Sequence, residues 1–348
     1  MEYVSIKKQY YCGIDMHAHT MYVCILNKAG KVHLHHEIPT DFERFLKLIK
    51  PYQASIAVCV ESTFNWYWLA DGCKKNNISF FLGHALYIKA IHSNKKKDDR
   101  IDARTLAELL RTGFFPLAYA YPREMRETRD LLRRRHYFVE LRAASARHIK
   151  ILLYQQGISD FPENIVKGKE LRAVLLNYKL PEAVSLSIQH DIALIDYLEH
   201  TIGQLEWRIL KSAENHDNYA LTLLQTVKGI GDILSLTILY EIHKISRFPT
   251  VQKFSSYSRV VKVERSSAGK KTGSKNQKIG NPYLRWAFAQ IAMNAQRFYP
   301  ELKIYTDRLK RKLGNKKAYA LLAHKFAVSV YYMLKNKTTF NLNQFIGV

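Results

Sequence analysis

The sequence predicts an α/β domain over residues 8–122, long helices over 123–215, and a mostly α C-terminal domain over 216–340. Three observations carry that expectation. Short β-forming runs alternate with helical spacing through the first hundred residues, long charged helical patterns take over near Arg123, and a helix, Gly-Ile-Gly, helix pattern opens a third region near Leu221. A chain of 348 residues has room for two or three cores.

"YYCGIDMHA" and "MYVCILN" are short and rich in β-formers, and "KAGK" turns the second into "VHLHHEI", an antiparallel meander of three strands. "DFERFLKLIK" has an Asp start and helical apolar spacing, ended by Pro51. "SIAVCVE" is a continuous apolar run, as a central strand covered on both faces requires. "NWYWLADGCKKNN" then reads as helix, "ISFFLG" as strand, and a long helix starts near Asp98. The order βββαβαβα, a meander followed by α/β crossovers, is what a ribonuclease H-like fold requires.

From Arg123, "REMRETRDLLRRRHYFVELRAASARHIKILLYQQ" reads as one long charged helix. A second begins at Pro181, a favoured first helical position, and carries Ile188, Ile195, Ile202 and Ile209 at seven-residue intervals with Leu198 and Leu205 between them. That is coiled-coil spacing, which dimerisation and a hairpin within the chain would satisfy equally. Beyond "LLQTVKGIGDILSLTILYEI" comes "SRFPTVQKFSSYSRVV", then a Gly/Ser/Lys-rich loop, "ERSSAGKKTGSKNQKIGN", too polar to form a core. "AYALLAHKFAVSVYYML" (318–334) is interrupted by His324 and Lys325, falls short of a bilayer span, and reads as a buried helix.

With 47% hydrophobic and 24% charged residues the composition is that of a globular chain, which excludes wholesale disorder. The charge is less ordinary. Lys and Arg number 54 against 30 acids, a formal net charge of +24, which points to a polyanion partner. No lipidation motif and no apolar h-region in "MEYVSIKKQYY" favours a membrane, so the expected setting is the cytoplasm, at the nucleoid. Cys12, Cys24, Cys59 and Cys73 lack Cys-x-x-Cys spacing and read as small buried hydrophobes in a reducing compartment. His33, His35 and His36 have no partner at metal-site spacing and read as an exposed strand edge.

Against this basic background, "KKKDDRIDARTLAEL" (95–109) crowds three aspartates into one turn. Asp98 or Asp99 could cap a helix, with Asp102 on a solvated face; alternatively, aspartates one turn apart could share a divalent cation. Asp15 in the middle of the first strand and Glu61 at the end of the fourth favour the second reading, because a carboxylate in an apolar strand is costly unless paired or metal-bound. Four carboxylates on two strands and a helix would suit one or two Mg²⁺ ions and in-line phosphoryl displacement.

"KGIGD" offers a second chemistry. Lys228, Gly229 and Gly231 stand where a helix-hairpin-helix presents backbone N–H groups to a phosphate, although an ordinary helical hairpin needs the same glycines. Ser266 and Ser267 lie in the polar loop near Lys270, Lys271 and Lys275, where a phosphate would be attracted, with Arg285 further on in "GNPYLR". Serine needs a base or metal to become a nucleophile.

Taken in order, "YCGIDMHAHTMYVCILNKAGK", "VCVESTFNWYWLADGC", "KKDDRIDARTLAELLR" and "LLQTVKGIGDILSLTILYEI…SSAGKKTGSKNQKIGNPYLRWAF" resemble the DEDD transposases of the insertion sequence 110 family, also described as bridge-RNA-guided recombinases. The resemblance runs from about residue 10 to 335. It implies a RuvC-like N-terminal domain, a coiled-coil connector and a C-terminal transposase domain that supplies a serine nucleophile. It implies Asp15, Glu61, Asp99 and Asp102 as the Mg²⁺-binding tetrad, which leaves Asp98 as a helix-start acid, and Ser267 rather than Ser266 as the nucleophile of a phosphoserine–DNA intermediate. Donor and target DNA, a structured guide RNA, and a dimer or tetramer whose active site takes its serine and its tetrad from different subunits are implied with it. Two departures stand out: Ala268 replaces a common glycine, and "MHAH" follows Asp15 where a Ser-Lys pair is frequent, putting His17 and His19 where they would alter metal preference. A junction-resolving endonuclease using metal-bound water, or a non-catalytic nucleic-acid-binding protein, are the competing readings.

Overall fold

β-Forming runs separated by tight turns pair with their neighbours, and the first three do so here. The computed structural model describes residues 3–91, 98–162, 167–213, 217–261, 265–267, 270–273 and 279–347, with the backbone alone at 265–267 and 270–273. Strands β1 (Tyr10–Met16), β2 (Thr20–Asn27), β3 (Val32–Pro39), β4 (Ile56–Glu61) and β5 (Ser79–Gly83) form one sheet in the order β3-β2-β1-β4-β5. β1, β2 and β3 run antiparallel as a meander, whereas β1, β4 and β5 run parallel. Helices α1 (Phe42–Ile49) and α2 (Tyr67–Lys75) lie between strands, and α3 (Ala85–Ile91) and α4 (Asp99–Thr112) follow β5. The short α3 is an element that the sequence pattern, which starts its next helix near Asp98, did not mark. Asp15 lies second from the end of β1 rather than in its middle.

Alternation of side chains gives β1 two distinct faces. Cys12, Ile14 and Met16 pack with Phe45 and Ile49 of α1 and with Leu69 and Cys73 of α2. On the other face Tyr11 joins Ala57 and Cys59 of β4 against Leu106 and Leu110 of α4. Gly13 is the point of closest approach: a Cβ there would lie 2.2 Å from the Ala103 carbonyl oxygen and 2.4 Å from the Ala107 nitrogen. Only glycine on the strand and alanines on the helix allow that contact, and it carries the start of α4 over the end of β1. All four cysteines are buried free thiols, and burial pushes Cys24 up to about 11 and Cys73 up to about 12.

The chain divides into two compact units, Met1–Arg123 and Glu124–Val348. In the second, α5 (Arg123–Gln155), α6 (Gly168–Leu175) and α7 (Glu182–Ala213) come first. Pro181 sits just ahead of α7, its carbonyl accepting from Ser185 N, so it occupies the cap and not the first helical turn. Arg135–Glu206, Arg142–Glu199 and His148–Asp191 ion pairs link α5 to α7 with numbers rising on one helix and falling on the other, an antiparallel hairpin. Ile188 and Ile195 of the seven-residue stripe, with Ile192 beside them, pack on Ala146, Ile149 and Leu153, and Ile202 and Ile209 are buried as well. That stripe is therefore covered from within the chain.

Next follow α8 (Asn218–Gln225), α9 (Asp232–Ile242), α10 (Val251–Tyr257), a two-stranded hairpin of β6 (Arg265–Ser267) and β7 (Lys270–Gly273), then α11 (Pro282–Asn294), α12 (Pro300–Leu313), α13 (Asn315–Asn336) and α14 (Leu342–Ile346). Their core gathers Leu224, Ile238, Phe254, Phe288, Leu302, Phe326 and Phe345. The buried helix expected at 318–334 lies within α13. The serine segment, expected as a loop, is in part a pair of antiparallel strands, which a composition of Ser, Lys and Gly does not advertise. No helix among the described residues is long and apolar enough to cross a membrane.

Candidate functional site

Asp15 projects from the face of β1 on which α4 lies, two residues beyond Gly13. On α4, Asp98 caps the helix by accepting from Arg100 N at 3.0 Å, leaving Asp99 and Asp102 in the first turn. His17 stands between the two elements, its Nε2 3.4 Å from Asp15 Oδ2 and 3.1 Å from Asp99 Oδ2. One ligand atom from each of Asp15, His17 and Asp99 lies within 4.8 Å of the others, a spacing that one ion could bridge. Burial pushes the Asp15 carboxyl above its ordinary range; His17 draws it back, and the charges of Asp99 and Asp102 push it up again. Crowded carboxylates of this kind fit a divalent cation, which would replace their mutual repulsion with attraction.

Glu61 ends β4. Gly13 pairs with Cys59 and Ile14 with Val60, so Glu61 follows one position further along the strand, on the same face as Cys59, and opposite Gly83 of β5. Asp15 and Asp99 are thus brought together, Asp102 is near enough to act on the charge of Asp15, and Glu61 ends the neighbouring strand.

The backbone of His17 is held on three sides. Its N–H donates to Thr20 O at 2.9 Å, and its carbonyl accepts from Thr40 Oγ1 at 3.0 Å and from Asn65 Nδ2 at 2.9 Å. Thr63, whose N–H donates to Glu61 O, in turn donates its hydroxyl to Asn65 Oδ1. His35 braces the opposite side: its ring bonds Arg100 O at 2.8 Å through Nε2 and accepts from Arg100 Nε at 3.3 Å through Nδ1. The neutral Nε2–H tautomer meets both demands. So β3, the edge strand, fixes the first turn of α4, and His35 does structural work that the strand pattern did not reveal.

In the C-terminal unit, "GNPYLR" has a local explanation. Gly280 has φ +95°, and a Cβ there would lie 2.6 Å from Tyr257 O. Asn281 caps α11, its Oδ1 accepting from Tyr283 N and Leu284 N at 2.9 and 3.1 Å, while Pro282 takes the first turn. The Asn281 amide then donates to Glu241 Oε2 at 2.7 Å. Glu241, 1% exposed on α9, also accepts from Arg129 Nε at 3.0 Å and from Arg133 Nε and Nη2 at 2.6 and 2.9 Å. This buried cluster ties α5, α9 and α11 together at the root of the serine segment, and sequence reasoning missed it because its members are far apart in the chain.

Ser267 pairs with Lys270 and Ser266 with Lys271 across the two strands, and Ser267 is the last residue of β6. Lys275 lies outside the described residues. Arg285 is exposed on α11, and its charge adds to the burial that lowers the pKa of Arg259, whose Nε donates to Ile279 O at 3.0 Å. The helix, Gly-Ile-Gly, helix pattern is present as α8 and α9. Gly229 there is structural, with φ +104° and an added Cβ only 3.0 Å from Ala295. Gly231 instead caps α9 with open space beside it, and Lys228 is exposed. Asp232 in the first turn of α9 receives Gln225 Nε2 at 2.7 Å and already offsets part of the helix dipole.

Two family models match the chain in tandem: a DEDD transposase model of the IS110 type over residues 12–157, and Transposase IS116/IS110/IS902 family over residues 221–307. The chain is similar to a Sinorhizobium fredii protein bearing the name transposase y4qE, with 23% identity over 230 residues, 66% of this chain and 52% of that one. It is also similar to the transposase for insertion sequence element IS1111A of Coxiella burnetii, 23% identical over 262 residues, 70% of this chain and 68% of that one. The chain thus spans about half the length of the first relative and about two thirds of the second.

Proposed function

Since the chain belongs to the IS110 family of DEDD transposases, we propose that it is a DNA transposase that inserts and excises a mobile element by cleaving and rejoining strands. The observation that carries this reading is the meeting of Asp15 on β1 with Asp99 on α4 inside the segment matched by the DEDD model. In this reading residues 8–122 are a RuvC-like catalytic domain, 123–215 a helical connector and 216–340 the serine-bearing domain. The strand order, with its meander and two parallel crossovers, supports the first assignment.

Asp15, Glu61, Asp99 and Asp102 would hold one or two Mg²⁺ ions. A divalent ion bound there offsets charge at a phosphate and lowers the pKa of an attacking hydroxyl. Ser267, with Ser266 as its neighbour, would supply that hydroxyl: its oxygen bonds to phosphorus as the bond from phosphorus to the deoxyribose oxygen breaks, and the proton lost by the serine is balanced by the one taken up by that leaving oxygen. Lys270 and Lys271, paired across from the two serines, support a phosphate-binding hairpin, and Lys228, Gly231, Lys275 and Arg285 would hold DNA backbone.

A structured guide RNA would draw on the net charge of +24. Assembly as a dimer or tetramer is supported by the outer face of α7, which exposes Leu194, Tyr197 and Trp207 while the inner stripe is filled. The working place would be the cytoplasm, at the nucleoid.

Denaturing gels of reactions with DNA carrying the element ends test the chemistry. Wild type leaves a covalent protein–DNA adduct; Ser267→Ala removes it, Ser266→Ala does not, and Asp15→Asn stops cleavage. Normal cleavage by the double serine variant would make water the nucleophile, and full activity after Asp15→Ala with Glu61→Ala would make the chain a non-catalytic binder.

A further inference from the structure

We propose that His17 is a nitrogen ligand of the same cation site, so that the centre takes a first-row transition ion such as Mn²⁺ in preference to Mg²⁺. The inference rests on the carboxylate-site reading above and adds to it a residue outside the four acids.

Geometry is the first argument. Two ligands bound at about 2.1 Å and at right angles on one ion lie about 3.0 Å apart. His17 Nε2 stands 3.1 Å from Asp99 Oδ2 and 3.4 Å from Asp15 Oδ2, so small shifts would put all three atoms on neighbouring corners of one coordination shell.

The second argument is that this position is built. The His17 side chain is 52% exposed, so core packing does not explain where it points. Its backbone is nonetheless fixed by the hairpin turn through Thr20, by Thr40 ahead of α1, and by Asn65 after β4. The Asn65 contact runs on through Thr63 to the carbonyl of Glu61, which couples the placement of the imidazole to the end of β4. On the far side His35 holds the first turn of α4, where Asp99 sits. Ligands on β1 and α4 and the residue between them are therefore preset before any ion arrives, the condition for a selective site.

Chemistry supplies the third argument. Mg²⁺ is a hard ion that takes oxygen ligands and keeps its water, whereas imidazole is a better ligand for first-row transition ions, strongly for Fe²⁺, Ni²⁺ and Zn²⁺ and least so for Mn²⁺. Replacing one oxygen position by nitrogen therefore shifts selectivity away from Mg²⁺.

The test uses the full-length, metal-free chain, titrated calorimetrically with Mn²⁺ and Mg²⁺, together with pulsed electron paramagnetic resonance on bound Mn²⁺. Wild type is expected to bind Mn²⁺ at least tenfold more tightly than Mg²⁺ and to show ¹⁴N coupling to the ion. His17→Ala should remove the coupling and most of that preference, and His17→Asp should restore Mg²⁺ affinity without it. Unchanged affinities in His17→Ala and no nitrogen coupling in wild type would overturn the proposal. So would tighter binding in His17→Ala, which would make the imidazole a stand-in cation that the metal displaces. Asp15→Asn separates the two levels: if it abolishes Mn²⁺ binding while His17→Ala is silent, only this inference fails; if it too is silent, the carboxylate site fails as well.

Discussion

Glu241 keeps its charge in a nearly dry environment because Arg129, Arg133 and Asn281 all donate to it. Burial pushes its carboxyl up, but the Arg133 hydrogen bonds, the Arg129 and Arg133 charges and the Asn281 amide outweigh that, and the folded-state pKa lies below the ordinary carboxylate value. A depressed carboxylate adds stability that is present above its unfolded pKa, near about 4.3, and is lost as pH falls through the folded value. Glu241→Gln is expected to destabilise the chain by about 3–5 kcal/mol at pH 7, because two arginines lose their counter-charge. Urea unfolding should show that difference shrinking at acid pH. At this scale the acids of the proposed site were legible: Asp15 and Glu61 are anomalies in apolar strands, and an anomaly asks for a partner. Glu241 was not, since an acid near the end of a helix needs no explanation and its partners stand 40 to 112 residues away. His17 was visible as a departure from a familiar pattern, but its place between Asp15 and Asp99 needed coordinates.

Among the elements, the contact of α4 with β1 decides whether the acids meet. Gly13→Ala would drive a methyl group into the Ala103 carbonyl, so α4 must move or the strand must bend. Overpacking of this kind costs about 1–3 kcal/mol. The thermal midpoint should fall, and Mn²⁺ affinity should fall further than the stability loss alone explains, because Asp99 and Asp102 ride on the displaced helix. Weakened stability with unchanged metal binding would separate the helix contact from the site. A glycine inside an apolar strand already signals close backbone approach, so this contact was partly readable. The β6–β7 pairing was not, for Ser, Lys and Gly are poor strand formers.

For the whole molecule, the seven-residue stripe on α7 bears on assembly. Heptad spacing alone fits a hairpin or a dimer, and only the packing of Ile188, Ile192 and Ile195 on α5 decides what covers them. Ile195→Ala should cost about 2–5 kcal/mol as a buried cavity within one chain, with the sedimenting mass unchanged. Trp207→Ala, on the exposed face, is the change expected to reduce the mass of the assembly at equal concentration.

The account depends most on one centre in which acids from β1, β4 and α4 share an ion, and an anomalous difference map from crystals of the full chain soaked in Mn²⁺ tests it most directly. The expected result is a peak within bonding distance of Asp15 together with Asp99 or Asp102 and with Glu61. No peak there, with Mn²⁺ at full occupancy elsewhere in the crystal, would contradict it.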